Sequence, residues 1–223
     1  MNFGILRAAA VLLVWAAGTA RAQAPAAKEP EVDSTPRLET TDPEWELSFE
    51  ALQYLIDDEK DYLQTTLAAD REELHLELRW NYEDYDTASI WIGWNFSAGD
   101  ENIVLEFTPM LGFSSGEATG ALAGYIASLD LWNFNVYNEA EYYIDTGDTD
   151  ADWFYMWSEA SFAPIEWFRF GVVAESYWDE DVEWEHDPGV LAAVTIGIAE
   201  IAVYLFNPDD DDPTLVFGVA LEF

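Results

Sequence analysis

The chain has 223 residues, half of them hydrophobic, with 45 Asp and Glu against 8 Lys and Arg and a formal charge of −37. That balance excludes nucleic acid as a partner, because phosphate binding rests on Lys and Arg. The absence of cysteine excludes disulfides, thiolate metal sites and a cysteine nucleophile, while 16% aromatic residues set the chain apart from disordered acidic sequences.

In chain order, residues 1–22 read as a secretory signal peptide. Arg7 supplies the positive charge, Ala8 to Gly18 the apolar stretch, and Ala20-Arg21-Ala22 the small-x-small cleavage site. Residues 23–42, rich in Ala, Pro, Glu, Thr and Asp without periodicity, read as a flexible periplasmic lead-in. From residue 43 onward the pattern has period two. Leu74, Leu76, Leu78, Trp80 and Tyr82 share one face, and His75, Glu77, Arg79 and Asn81 the other. The same alternation predicts strands at about 44–55, 61–69, 72–82, 87–97, 102–113, 118–128, 133–145, 152–162, 166–178, 189–196, 199–207 and 213–223.

The connections alternate between very short and longer acidic ones. The short set includes Ala69-Asp70-Arg71, Asp130-Leu131-Trp132 and Ala163-Pro164-Ile165; the longer set includes residues 146–151, 179–188 and 208–212. Twelve strands over residues 43–223 leave about 15 residues for each strand with its connection, enough for the roughly 9–11 residues a membrane strand needs. The expected fold is all-β: a closed antiparallel transmembrane β-barrel of about 12 strands, with 10–14 compatible. Large apolar faces on nearly every strand favour lipid outside over a small soluble core. Two interfacial girdles are expected, of Trp45, Trp94, Trp132 and Trp167 at the turn end and Tyr82, Tyr142, Trp153 and Trp178 at the loop end. Pro109 is awkward in a closed barrel and is expected at a bulge or at the upper end of its strand.

At the C-terminus, Leu215, Phe217, Val219, Leu221 and Phe223 alternate to the last residue. This run resembles the terminal strand of bacterial outer-membrane β-barrel proteins, a porin-like class, without fixing one family. The resemblance implies an outer-membrane location, contact with outer-membrane lipid, and recognition by the barrel-assembly machinery through the strand ending in Phe223. No loop matches the long inward-folded constriction loop of large trimeric porins.

With apolar residues outward, the other parity forms an inner wall. It carries Glu46, Glu50, His75, Glu77, Arg79, Asn81, Asn95, Glu106, Glu139, Glu141, Glu159, Arg169 and Glu175, with Glu222 near the turn-end mouth. Carboxylates outnumber the two Arg, and acidic walls favour cations. The expectation is a narrow passive channel for cations or small cationic solutes, with no cofactor. The alternative is a plugged structural or adhesive barrel, in which Arg79 and Arg169 clamp carboxylates and Trp91, Trp157 and Tyr137 consume volume. An enzyme is the rival class: some outer-membrane barrels are phospholipases or proteases, and His186 beside Asp187 in a loop shares an end with Asp84 and Asp86. No Ser sits in a nucleophile elbow, and the chain is read as a non-enzyme. Asp148, Asp150 and Asp152 have calcium-loop spacing, but Trp153 stands where such a loop needs Gly. These three, with Asp209, Asp210, Asp211 and Asp212, are candidates only for weak surface binding of divalent ions.

Overall fold

The computed structural model describes residues 44–56, 60–100, 102–147, 152–179, 184–210 and 213–223. The signal-peptide and lead-in readings fall outside these residues. The described chain forms thirteen strand segments: β1 Glu46–Leu55, β2 Tyr62–Arg71, β3 Leu74–Trp80, β4 Ala88–Trp94, β5 Phe96–Gly99, β6 Ile103–Ser115, β7 Gly120–Leu131, β8 Phe134–Asp145, β9 Trp153–Ile165, β10 Phe168–Asp179, β11 Glu185–Ile196, β12 Ala199–Phe206 and β13 Thr214–Glu222. Each pairs antiparallel with its neighbours, and β4 and β5 both pair with β6, so they share one place in the wall. The wall therefore has twelve places. It closes where β1 meets β13, from Ser48 opposite Glu222 to Leu55 opposite Leu215. The Phe223 amide reaches the Leu47 carbonyl at 2.8 Å, which puts the C-terminus at the turn end beside β1.

The pleat sends alternate side chains to opposite faces. Outward residues such as Leu78, Ile90, Ile92, Leu111, Phe134 and Val172 are exposed, while their sequence neighbours are covered. Ile92 stands opposite Leu111 on β6 and Leu76 on β3, giving an apolar band continuous across strands. Trp45, Trp94, Trp132 and Trp167 all face outward near the turn end. A belt this large has no place on a monomer in water and fits a lipid environment.

Five features depart from the sequence reading. Tyr82, expected in the outer girdle, lies fully buried inside. The cause is Asn81, which adopts φ 56°, donates to the Leu63 carbonyl and accepts the Asp86 amide. Asn81 is thus a turn residue, not part of the inner wall, and parity is lost after it. Trp153, also expected in the girdle, points inward and stacks on Tyr143 at 5.0 Å. Next, β11 begins at Glu185, so His186 and Asp187 stand on a strand and not in a loop. The short turns sit one to three residues later than expected, at Glu72-Glu73, Trp132-Asn133 and Glu166-Trp167. Finally, Pro109 lies in the middle of β6, not at its end. It has no N–H to donate, and the ladder on that side stops at Gly93–Met110 and resumes at Phe96–Phe107. The gap between β4 and β5 is the imprint of Pro109 on its neighbour.

Candidate functional site: a charge-filled lumen

The inner wall brings most of the expected residues into three clusters. Around Arg79 of β3, the Nε donates to Glu77 Oε2 at 2.6 Å. Its two terminal nitrogens reach Glu139 Oε1 at 2.8 Å and Glu141 Oε2 at 3.2 Å, both on β8. Between β3 and β8 the wall holds β4, β6 and β7, so these bonds cross the lumen. The guanidinium also lies over the rings of Tyr82 and Trp91, at 4.2 and 4.7 Å. Tyr82 and Tyr137 donate their hydroxyls to the two oxygens of Glu139, at 2.9 and 3.0 Å. Glu77 Oε1 meets His75 Nε2 at 2.8 Å, and His75 Nδ1 meets Asp70 at 2.7 Å. Charge-assisted bonds at these distances are the strong class.

Toward the turn end, Arg169 of β10 donates to Glu159 Oε2 at 2.8 Å and to both oxygens of Glu200 on β12. Trp157 donates to the other oxygen of Glu159 at 3.1 Å. The third cluster centres on Glu175, which accepts from Tyr54 on β1 and Tyr155 on β9 at 3.3 and 3.4 Å. Glu50 lines a cavity of about 10 Å³ with Glu200, Tyr204 and Gly218, room for about one water. Glu106 is only half-buried and accepts from Ser128 at 3.3 Å. Glu46 is exposed at the turn-end rim, apart from every cluster.

The space between the clusters is packed. Trp157 is fully buried, with the rings of Tyr204 and Phe206 each 5.3 Å away, and Tyr54 stacks on Tyr62 at 4.5 Å. Leu52 and Val216 complete this core. The lumen in this conformation is closed at mid-height by rings and ion pairs.

Sequence reasoning missed Asp70, Tyr82, Glu83, Glu200 and the ring-forming Tyr54, Tyr204 and Phe206. Glu200 shares parity with Ala202 and Tyr204, a signal present in the sequence but obscured by the apolar character of the strand. Glu83 lies on the β3–β4 connection, buried beside Ser89 and Trp91, and that burial raises its carboxyl above the usual range. Burial also raises Asp84 next to it, with Glu117 adding to the effect.

Of the surface candidates for divalent ions, Asp148, Asp150, Asp211 and Asp212 lie outside the described residues. Asp152 accepts the Asp145 amide at 2.9 Å and the Tyr142 hydroxyl at 3.4 Å, and so closes a hairpin; Asp209 and Asp210 are exposed. Among the described residues no three His, Asp or Glu side chains converge as metal ligands. His186 and Asp187 point to opposite faces of β11. His186 meets Ser176 Oγ at 2.9 Å on the outer side, whereas Asp187 accepts from Asn207 at 2.8 Å within.

No family model matches the chain, and no curated protein does. Among solved structures it resembles the KdgM porin, with a TM-score of 0.55 and 10% identity over 79% of this chain and 99% of that one. A KdgM porin in complex with disordered oligogalacturonate gives 0.54 at 9% identity over the same shares. A membrane protein from a study of in-meso crystallization gives 0.52 at 10% identity, covering 80% of this chain and 83% of that one. At these identities the likeness is one of fold: the chain has the closed antiparallel barrel of the outer-membrane porins.

Proposed function

We propose that this chain is an outer-membrane β-barrel forming a narrow, cation-preferring passage that is closed in the conformation described here. The outward apolar belt and the porin fold support the outer-membrane location. The observation that carries the preference is the composition of the lumen: Glu50, Glu77, Glu139, Glu141, Glu159 and Glu175 are all buried within it, against two Arg. Fixed carboxylates in a narrow space attract cations and repel anions. Oligogalacturonate, bound by the KdgM porin, is a polyanion and is the wrong charge for this wall. Passage requires the Arg79 cluster to part. The test is planar-bilayer conductance of the refolded mature protein, with reversal potential read under a salt gradient. Cation-selective steps that lose selectivity on Glu139→Gln with Glu141→Gln support the reading; selectivity unchanged in that double variant removes these residues from it.

The packed interior favours a second reading, a structural barrel braced from within. Silence from protein shown to be folded, together with envelope fragility in cells lacking it, decides for that alternative.

A further inference from the structure

His75 stands on β3 with each ring nitrogen against a carboxylate. Nδ1 meets Asp70 Oδ1 at 2.7 Å, and Nε2 meets Glu77 Oε1 at 2.8 Å. Both oxygens come to the ring as acceptors. Glu77 takes the Arg79 Nε on its other oxygen at 2.6 Å, the pairing of a carboxylate. Asp70 Oδ1 also takes the Asn95 side-chain amide at 2.6 Å. A neutral imidazole offers one N–H, and only the imidazolium offers two. His75 therefore bears its second proton here, and the lumen holds a cation besides Arg79 and Arg169.

That charge sits in the middle of a chain of contacts. Thr108 donates to Asn95 and Asn95 to Asp70, His75 bridges Asp70 and Glu77, and Arg79 carries the chain from Glu77 across the lumen to Glu139 and Glu141. The groups facing the ring are Asp70 on β2 and Glu77 and Arg79 on its own strand, while the β4 residue opposite is Gly93. Glu106 of β6 feels both Asp70 and Asp130 of β7. Apart from Arg79, every charged group here is an acid. His75 is 5% exposed, whereas the Asp70 side chain keeps 24% of its surface open, so Asp70 is the ring's contact with solvent.

We propose that His75 is the latch of the closed lumen, holding Glu77 on Arg79 while its ring keeps both protons, so that alkaline pH releases the Arg79 cluster and opens the passage. Loss of the second proton turns one N–H into a lone pair facing a carboxylate oxygen, at 2.7 or 2.8 Å, and that contact parts. Arg79 is then the one cation among Asp70, Glu77, Glu139 and Glu141. The inference rests on the channel reading for the opening, and not for the latch.

Two measurements on the refolded barrel test it. The first is nitrogen NMR of the histidine rings in detergent at pH 7, with His186→Asn to identify the His75 signals. Both His75 nitrogens are expected to carry protons; a neutral ring overturns the proposal. This signal is read on His75 itself and needs no variant at that position to fold. The second compares pH 7 with pH 10 by conductance and by melting temperature. In the parent the open time is expected to rise several-fold and the melting temperature to fall by several degrees, because the stabilisation is present while the ring holds its second proton and is lost as rising pH removes it. His75→Gln is expected to conduct at pH 7 as the parent does at pH 10, and His75→Lys, which keeps a cation between the carboxylates, to restore closure at pH 7. The same pH response in His75→Gln as in the parent overturns the latch, since every other group that loses a proton in this range is present in both. A parent silent at both pH values, yet losing more melting temperature with pH than His75→Gln, ends the channel reading and keeps His75 as the latch of a closed barrel.

Discussion

Replacing Arg79 with Met is the most demanding test of the interior described above. Met keeps much of the side-chain volume against Tyr82 and Trp91 but withdraws the only guanidinium from Glu77, Glu139 and Glu141. Removing one partner of a buried ion pair costs about 3–5 kcal/mol, because the remaining charge stays behind. Three carboxylates are left here, so the upper end applies, about 5 kcal/mol. With a urea slope of about 3 kcal/mol/M, the unfolding midpoint moves down by about 1.7 M. Adding Glu139→Gln and Glu141→Gln to Arg79→Met removes two of the stranded charges and restores a large part of the loss, since coupled residues are not additive. Urea unfolding followed by tryptophan fluorescence reads both variants. An unchanged midpoint in Arg79→Met, or a triple variant less stable than Arg79→Met alone, refutes the view that Arg79 holds the lumen together.

The other predictions concern different parts of the barrel. Leu111, among the most exposed outward residues, is expected to cost about 2–4 kcal/mol when changed to Arg if it lies near the bilayer midplane; a neutral result in lipid vesicles contradicts a lipid-facing belt. A Cβ on Gly112 would lie 2.6 Å from the Trp91 ring, so Gly112→Val displaces Trp91 from Arg79 at about 1–3 kcal/mol, visible as a change in tryptophan fluorescence. Because burial raises the Glu83 carboxyl, the folded barrel keeps that proton where the unfolded chain has lost it. Its stabilising effect is complete below the ordinary carboxylate range and is lost as pH rises through the raised folded value. In N-methylglucamine buffer, Glu83→Gln is expected to flatten that decline; an identical pH profile for the variant sinks the prediction.

How much of this was written in the sequence depended on whether backbone geometry stayed regular. Strands such as β8 keep strict alternation, so Asn135, Tyr137, Glu139 and Glu141 could be placed inward from residue order alone. One left-handed residue, Asn81, was enough to reverse Tyr82 and bring Glu83 inside. The gap beside Pro109 shows the opposite case: the anomaly was plain in the sequence, but its effect fell on another strand. The union of Arg79 with Glu139 and Glu141 spans about sixty positions. It exists only because closure sets β3 across from β8, and no local pattern encodes it. The same holds for the filling of the lumen. Tyr137 was legible as inward and Tyr82 was not, and in either case whether opposing rings meet depends on the diameter of the closed wall.

The interruption opposite Pro109 gives the wall a second seam, four places round from the β1–β13 closure. Along most of the circumference, backbone bonds carry the hoop tension. Beside Thr108 and Pro109 the load passes to side chains instead: Thr108 to Asn95 at 2.7 Å, and Asn95 to Asp70 at 2.6 Å. Asn95 keeps its amide on the Glu73 carbonyl at 2.7 Å, so its backbone remains fastened to the turn between β2 and β3 while only its side chain reaches β6. Sideways stretching of the wall therefore meets, beside Pro109, a joint held by side chains in place of backbone bonds.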